Sequence, residues 1–353
     1  MVKLSESFYL TICIVISFIV TYYIAGIDAT LWSSLSTLHG YTIFNKATRY
    51  KNIIYSLLCS LFVFVGTALG YYLGFSYLFF IVLFLSPFFY YQLYNVDSSL
   101  EMSFKYFMIF FIIGATLNKS SFDGLVIGLL IGTFITLTFC YSISKRKKIT
   151  FFQIKRYISL KRDRVTYHLI CQSLIYAVGL LCCVLSSRAI NVDHFFWAPL
   201  TFIFVLNPKL TNIVKLTRDR VIGTLIVVFV LYLAFNASVL MPYIGFALIL
   251  LFSFLIPISN TKKNNVFGTI CLTGLVLSLI EMSIYFNNVD YHLLSERIME
   301  TLIGGLFAIV SSYCIKLVMK GKLIKIINIK QLCSLRFLLW NEATSKNGSL
   351  YLI

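Results

Sequence analysis

Asp28-x-x-x-Trp32-x-x-Leu35-Ser36 and Asp193-x-x-x-Trp197-x-x-Leu200-Thr201 are one pattern written twice, once in each half of the chain. Each copy is followed by a basic string, Lys46-x-Thr48-Arg49-x-Lys51 and Lys215-x-Thr217-Arg218-x-Arg220, so the order of the two elements is repeated as well. These residue types suit binding. Trp32 and Trp197 offer flat apolar faces, and Ser36, Thr37 and Thr201 offer hydroxyls. Arg49, Arg218 and Arg220 form a positive collar that raises the local concentration of a small organic anion. Bond-making chemistry has no such signature: there is no acidic pair of the type that grips prenyl diphosphates, and no GxSxG, HExxH, Walker A or GxGxxG string. His39, His168, His194 and His292 are spread out, and the nine cysteines show neither CxxC nor metal spacing. The chain is therefore expected to have no catalytic residue, metal or cofactor, and its cysteines to act as small packing residues.

The elements that must position these residues are membrane spans. Soluble chains carry roughly 25% charged residues, whereas this chain of 353 has 12%, with 59% hydrophobic. Its apolar runs approach the ~20 residues that a helix needs to cross ~30 Å of hydrocarbon. The expected fold is an all-α integral membrane protein with about twelve transmembrane segments in two parallel six-span repeats. The first repeat reads Phe8–Gly26, Asp28–Ile43, Ile53–Leu73, Tyr77–Leu93, Phe104–Leu117 and Phe122–Tyr141. The second reads His168–Ser187, His194–Leu206, Val221–Phe235, Met241–Ile258, Val266–Phe286 and Ile298–Leu317. Residues 1–141 and 168–320 are thus the two membrane units, 142–167 a basic linker and 321–353 an amphipathic tail. Phe8–Ala25 reads as a span and not a cleavable signal, since no small-residue cleavage site with a soluble domain follows.

The basic residues choose the topology. With the N-terminus cytoplasmic and all segments crossing, every Lys and Arg except Lys119, Arg188 and Arg297 falls on the inside. If segments 2 and 8 were re-entrant, the Lys46–Lys51 and Lys145–Arg164 clusters would face outward, against the positive-inside bias. Crossing segments, a multi-pass membrane protein and cytoplasmic termini follow. The net charge of +17 is then explained by loops meeting anionic lipid headgroups, and nucleic acid is not a partner. The linker Ser142–Tyr167 interleaves nine basic residues with Phe151, Phe152, Ile154, Tyr157, Ile158 and Leu160, which suits a helix lying on the inner leaflet or a solvated tether.

Segments 2 and 8 carry the strongest site signal. Asp28–Ile43 is short for a span and dense in Thr30, Ser33, Ser34, Ser36, Thr37 and His39. Its partner holds Pro199, which removes a backbone donor, and ends at Asn207-Pro208. Short or Pro-interrupted segments at matching places in two repeats point to a substrate site between the halves. On the alternative reading the tryptophans are interfacial anchors and the hydroxyls bond to the preceding turn. Asp28 and Asp193 stand where an N-cap would, and with Glu281 they are the carboxylates that could couple transport to protons. Glu281 is the one acidic residue well inside an apolar run, a costly place for an ionised carboxylate. Glu300 could pair with Arg297, three residues before it. Gly124, Gly128 and Gly132, and Gly304-Gly305, are expected to allow close helix approach.

The string Trp197-x-Pro199-Leu200-Thr201, the following Arg220-x-x-Gly223-Thr224 and the final Arg297-Ile298-x-x-Thr301-x-x-Gly304-Gly305 resemble the fusaric acid resistance family, also called aromatic acid exporters. The first half departs from that pattern, with Ile54-Tyr55 after Lys51 where Gly-Thr would stand. The resemblance implies two six-span halves and proton-driven efflux of small organic anions, aromatic or hydroxylated carboxylic acids, across the inner membrane. It also implies that a periplasmic adaptor protein can work with the exporter. Two alternatives remain open: a passive anion channel of the same fold, and a non-transporting membrane scaffold of the envelope. Substrate identity, coupling ion and oligomeric state are not readable from the chain.

Overall fold

The computed structural model describes residues 4–46, 52–93, 98–117, 119–145, 167–190, 196–208, 212–236, 241–262, 264–283 and 292–319. All the regular structure among them is helical. In chain order the helices are α1 (Leu4–Ala25), a 3-10 turn (Ile27–Ala29), α2 (Thr30–Lys46), α3 (Asn52–Leu73), α4 (Tyr77–Leu93), α5 (Ser98–Gly114) and α6 (Lys119–Lys145). There follow α7 (Tyr167–Ala189), α8 (Trp197–Val205), α9 (Ile213–Phe235), α10 (Met241–Lys262), α11 (Asn265–Ser283) and α12 (His292–Met319). Each overlaps one expected segment. Seven are long and apolar enough to cross a membrane by length and composition, so this is an all-α, multi-pass membrane protein in contact with lipid. Most of the linker and the whole of the tail lie outside the described residues.

The helices bury small and polar residues among large apolar ones and also turn large apolar side chains outward. On α1, Ser7, Cys13, Ser17 and Thr21 are buried, while Leu4, Phe8, Ile12, Ile16 and Ile19 are exposed. That inversion suits lipid, where helix association comes from close packing and not from hiding hydrocarbon. α2 and α11 are the inner helices, buried over most of their length.

Packing repeats between the halves. α3 lies along α5 as α9 lies along α11, and α1 packs on α2 as α7 packs on α8. The contacts between halves are reciprocal: α1 meets α10 where α7 meets α4, and α2 meets α11 where α8 meets α5. Reciprocal pairing of this kind is what a twofold axis produces. Pro87 inside α4 and Pro257 inside α10 are a further matched pair, one in each half.

Glycines set the closest approaches. A Cβ on Gly128 or Gly132 of α6 would overlap the carbonyl oxygens of Ala29 and Ser33, and one on Gly304 of α12 would overlap that of Ala198. Ser33 and Ala198 are equivalent positions in the duplicated pattern, so α6 cradles α2 as α12 cradles α8. The expected packing role of these glycines is met by geometry.

Pro199 differs in detail from its expected effect. It is the third residue of α8, where backbone N–H groups have no intrahelical partner in any case, so it interrupts nothing. α8 has only nine residues because its far end stops at Leu206, which is extended at φ −82°, ψ 105°.

Candidate substrate site between the halves

A cavity of about 240 Å³ lies on the pseudo-twofold axis. α2 and α5 of the first half line it from one side, and α8 and α11 from the other; α9 and α12 add Arg220 and Arg297. Trp32 and Trp197, at equivalent positions, both face it, together with Phe110 and Phe196. Aromatic and aliphatic side chains make most of the wall, and the two guanidinium groups are its charge.

Both arginines are buried, and both rest on rings. Arg297 is 1% exposed; its guanidinium lies 4.3 Å from the Trp197 ring centroid and donates to the Trp197 carbonyl at 3.5 Å. Arg220 is 8% exposed, with its guanidinium 5.0 Å from the Phe204 ring. Cation–π contact of this type strengthens on desolvation, and it holds each guanidinium against a ring of the wall. Among the described residues, the Nε of each arginine and the indole Nε1 of Trp197 find no hydrogen-bond acceptor. Buried donors without acceptors are costly, and three of them converge here. Glu300, fully buried, is close enough to feel the Arg297 charge. A desolvated, ring-walled cavity with unspent donors is equipped to hold an aromatic anion.

The sequence-expected residues divide. Trp32, Trp197 and Arg220 reach the cavity. Ser36 turns away, bonding Thr133 Oγ1 at 3.1 Å and the Leu129 carbonyl at 3.4 Å, and Thr37 donates to the Gly132 carbonyl at 3.3 Å. Thr201 is buried against Gly304, and Pro199 is buried within α8. Arg218 points outward and pairs with Asp219 at 3.6 Å. Asp28 is exposed in the 3-10 turn, and Glu281 is buried on α11 next to the lining residue Ile280. Arg49 and Asp193 lie outside the described residues.

Arg297, His39, Tyr106 and Phe204 line the cavity without having been singled out from the sequence as site residues. His39 and Phe204 were nonetheless detectable: the interval between them along the chain is the same as that between the two tryptophans. Arg297 reads as one of three outer basic residues when counted for topology, and only its place on α12 turns it inward.

The sequence pattern of the fusaric acid resistance protein-like family matches residues 181–311, from α7 to α12. Over residues 181–311 the chain is thus similar to that family. The matched span contains the Trp197 element, Arg220 and Arg297, which fits a role in membrane transport. The first half, where Ile54-Tyr55 replaces Gly-Thr, lies outside the match. No curated protein and no solved structure matches the chain significantly.

Proposed function

We propose that this protein exports small organic anions, aromatic carboxylates above all, across the inner membrane. The reading rests on one observation: two buried guanidinium groups face an otherwise largely aromatic and aliphatic cavity between the two halves. A dry cavity of about 150 Å³ accepts benzene, so 240 Å³ accommodates one ring with a carboxylate. The ring lies between Trp32 and Trp197, and the carboxylate takes up the free edges of Arg297 and Arg220 and the Trp197 indole N–H. Rocking of the halves about their reciprocal contacts then exposes the site to one side and the other.

Leaving a negative interior is itself favourable for an anion, by about 2.3 kcal/mol per charge per 100 mV. In this reading a proton taken up at Glu281, a carboxylate whose ionised form is expensive at that depth, adds to that drive. Asp28 and Asp193 are further candidates for proton uptake. A periplasmic adaptor would carry the anion onward from the outer mouth.

The test is flux of a panel of weak organic acids in vesicles containing the purified protein, with and without a pH gradient. Saturable flux that collapses with an uncoupler is the expected result; unsaturating currents that follow voltage alone would make the protein a channel. Trp32→Ala with Trp197→Ala is expected to abolish flux at normal protein levels. Unchanged flux would remove the cavity from the mechanism and leave a membrane scaffold.

A further inference from the structure

A second chamber of about 340 Å³ adjoins the first on the side of the basic strings. Five residues belong to both: His39, Tyr106, Phe204, Arg220 and Leu272. They form a neck. His39 lies tilted against Tyr106 with centroids 3.9 Å apart, and across the axis Phe204 carries the Arg220 guanidinium. The walls change character at this neck. Beyond it Thr42, Ser259, Asn260, Asn264 and Asn265 join an aliphatic wall that includes Leu38, Leu216 and Ile256, in place of the tryptophans and phenylalanines of the first cavity.

We propose that this chamber is a separate anion site, an entry station that holds a still-hydrated carboxylate before its ring is stripped of water and passes the neck. The proposal rests on the export reading above. Arg220 is the shared element: more than nine-tenths buried, its Nε without an acceptor among the described residues, and present in the walls of both chambers. Its neighbour Asp219 does not neutralise it by contact, being turned to Arg218 at 3.6 Å and to the Asn265 amide at 3.4 Å. α11 begins at this chamber, so the positive end of its dipole adds to the field. The Asn264 Oδ1 accepts from the Val266 and Phe267 N–H groups, so its Nδ2 stands with Arg220 and the exposed Asn260 amide as a donor to an anion.

Amides and hydroxyls replace water around a carboxylate, and beyond the neck the wall offers a ring aliphatic contact but no aromatic face to stack on. Capture at this station therefore depends on the anionic group, and discrimination for the ring falls to the Trp32–Trp197 cavity. A carboxylate moves from Asn260 and Arg220 to Arg220 and Arg297 without becoming unpaired in between, which avoids the penalty of a bare charge in a low-dielectric passage.

Benzoate is the probe, in proteoliposomes for flux and in nanodiscs for equilibrium binding read by the fluorescence of Trp32 and Trp197 in a Trp340→Phe background. Asn260→Leu, a change at an exposed position, is expected to raise the KM for benzoate about 5- to 10-fold, which is the 1–1.5 kcal/mol of one ordinary hydrogen bond. It should leave the fluorescence titration unchanged, and Asn260→Gln should restore the KM. An unchanged KM, with Trp197→Ala inactive, overturns the entry station and leaves the export reading standing. Equal weakening of KM and fluorescence binding makes Asn260 part of the aromatic site and also overturns a separate station. If Trp197→Ala and Asn260→Leu are both silent, both readings fall.

Discussion

Arg297→Met removes the charge at the ring end of the cavity while keeping an unbranched apolar side chain. In the structure the guanidinium is 1% exposed, and its one side-chain hydrogen bond, to the Trp197 carbonyl, is long at 3.5 Å. Most of its donor capacity is thus uncommitted and free for a carboxylate. Truncating one partner of a buried charge pair costs about 2–5 kcal/mol. Arg220 still faces the cavity in this variant, which places the expected loss in the lower part of that range, about 2–3 kcal/mol, or roughly 30- to 150-fold in affinity. The measurement is the KM for benzoate in proteoliposomes, on protein that runs as a single peak in size-exclusion chromatography. Because the variant strands the buried Glu300 carboxylate, Arg297→Met with Glu300→Gln is measured beside it; that pair should recover stability but not the KM. Arg297→Lys keeps the charge and loses the planar fork, so it should fall between wild type and Met. A KM within twofold of wild type in the well-folded double variant would refute the assignment of Arg297 to the substrate.

Other outcomes follow from the same geometry. Gly304→Ala drives a methyl into the Ala198 carbonyl and should lower stability by about 1–3 kcal/mol, as overpacking does. Gly268→Ala, whose nearest neighbour would be Ser259 Oγ at 3.9 Å, should be neutral or gain up to about 1 kcal/mol from helix propensity; melting temperatures in detergent separate the two. Under the positive-inside topology, an impermeant maleimide added to intact cells should label Ser76→Cys, between α3 and α4, and miss Asn260→Cys at the end of α10; the reverse pattern would invert the protein. Glu281→Gln should abolish stimulation by a pH gradient while potential-driven flux persists, and stimulation that survives would move proton uptake to another carboxylate.

The helices were legible from hydropathy because the apolar runs are separated by polar stretches. However, α5, α9 and α12 begin at Ser98, Ile213 and His292, ahead of the expected Phe104, Val221 and Ile298, since their first turns carry polar or charged residues. Tyr77–Leu93 has the same ends in both readings. The pairing of Trp32 with Trp197 was legible from duplication, since two copies of one pattern in reciprocal halves occupy equivalent places about the axis. Pro87 and Pro257 show how easily such a match is overlooked when only charged and aromatic residues are compared. Hydroxyl orientation was not legible: Ser36 and Thr37 lie within five residues of Trp32, yet the indole faces the cavity while both hydroxyls bond α6.

Composition, duplication and the distribution of positive charge are properties of the chain alone, and they determine a twice-written helical membrane protein with matched short segments. Which face of each helix looks inward was decided only by the tertiary structure. In a soluble helix an apolar stripe announces the buried face, but here lipid is as apolar as the interior, so the stripe is uninformative. Rotation is set instead by where backbones can touch. Gly128, Gly132 and Gly304 let α6 and α12 close on α2 and α8, and that approach turns Ser36, Thr37 and Thr201 aside, swings Trp32 and Trp197 toward the axis, and brings Arg297 over a ring in place of lipid headgroups.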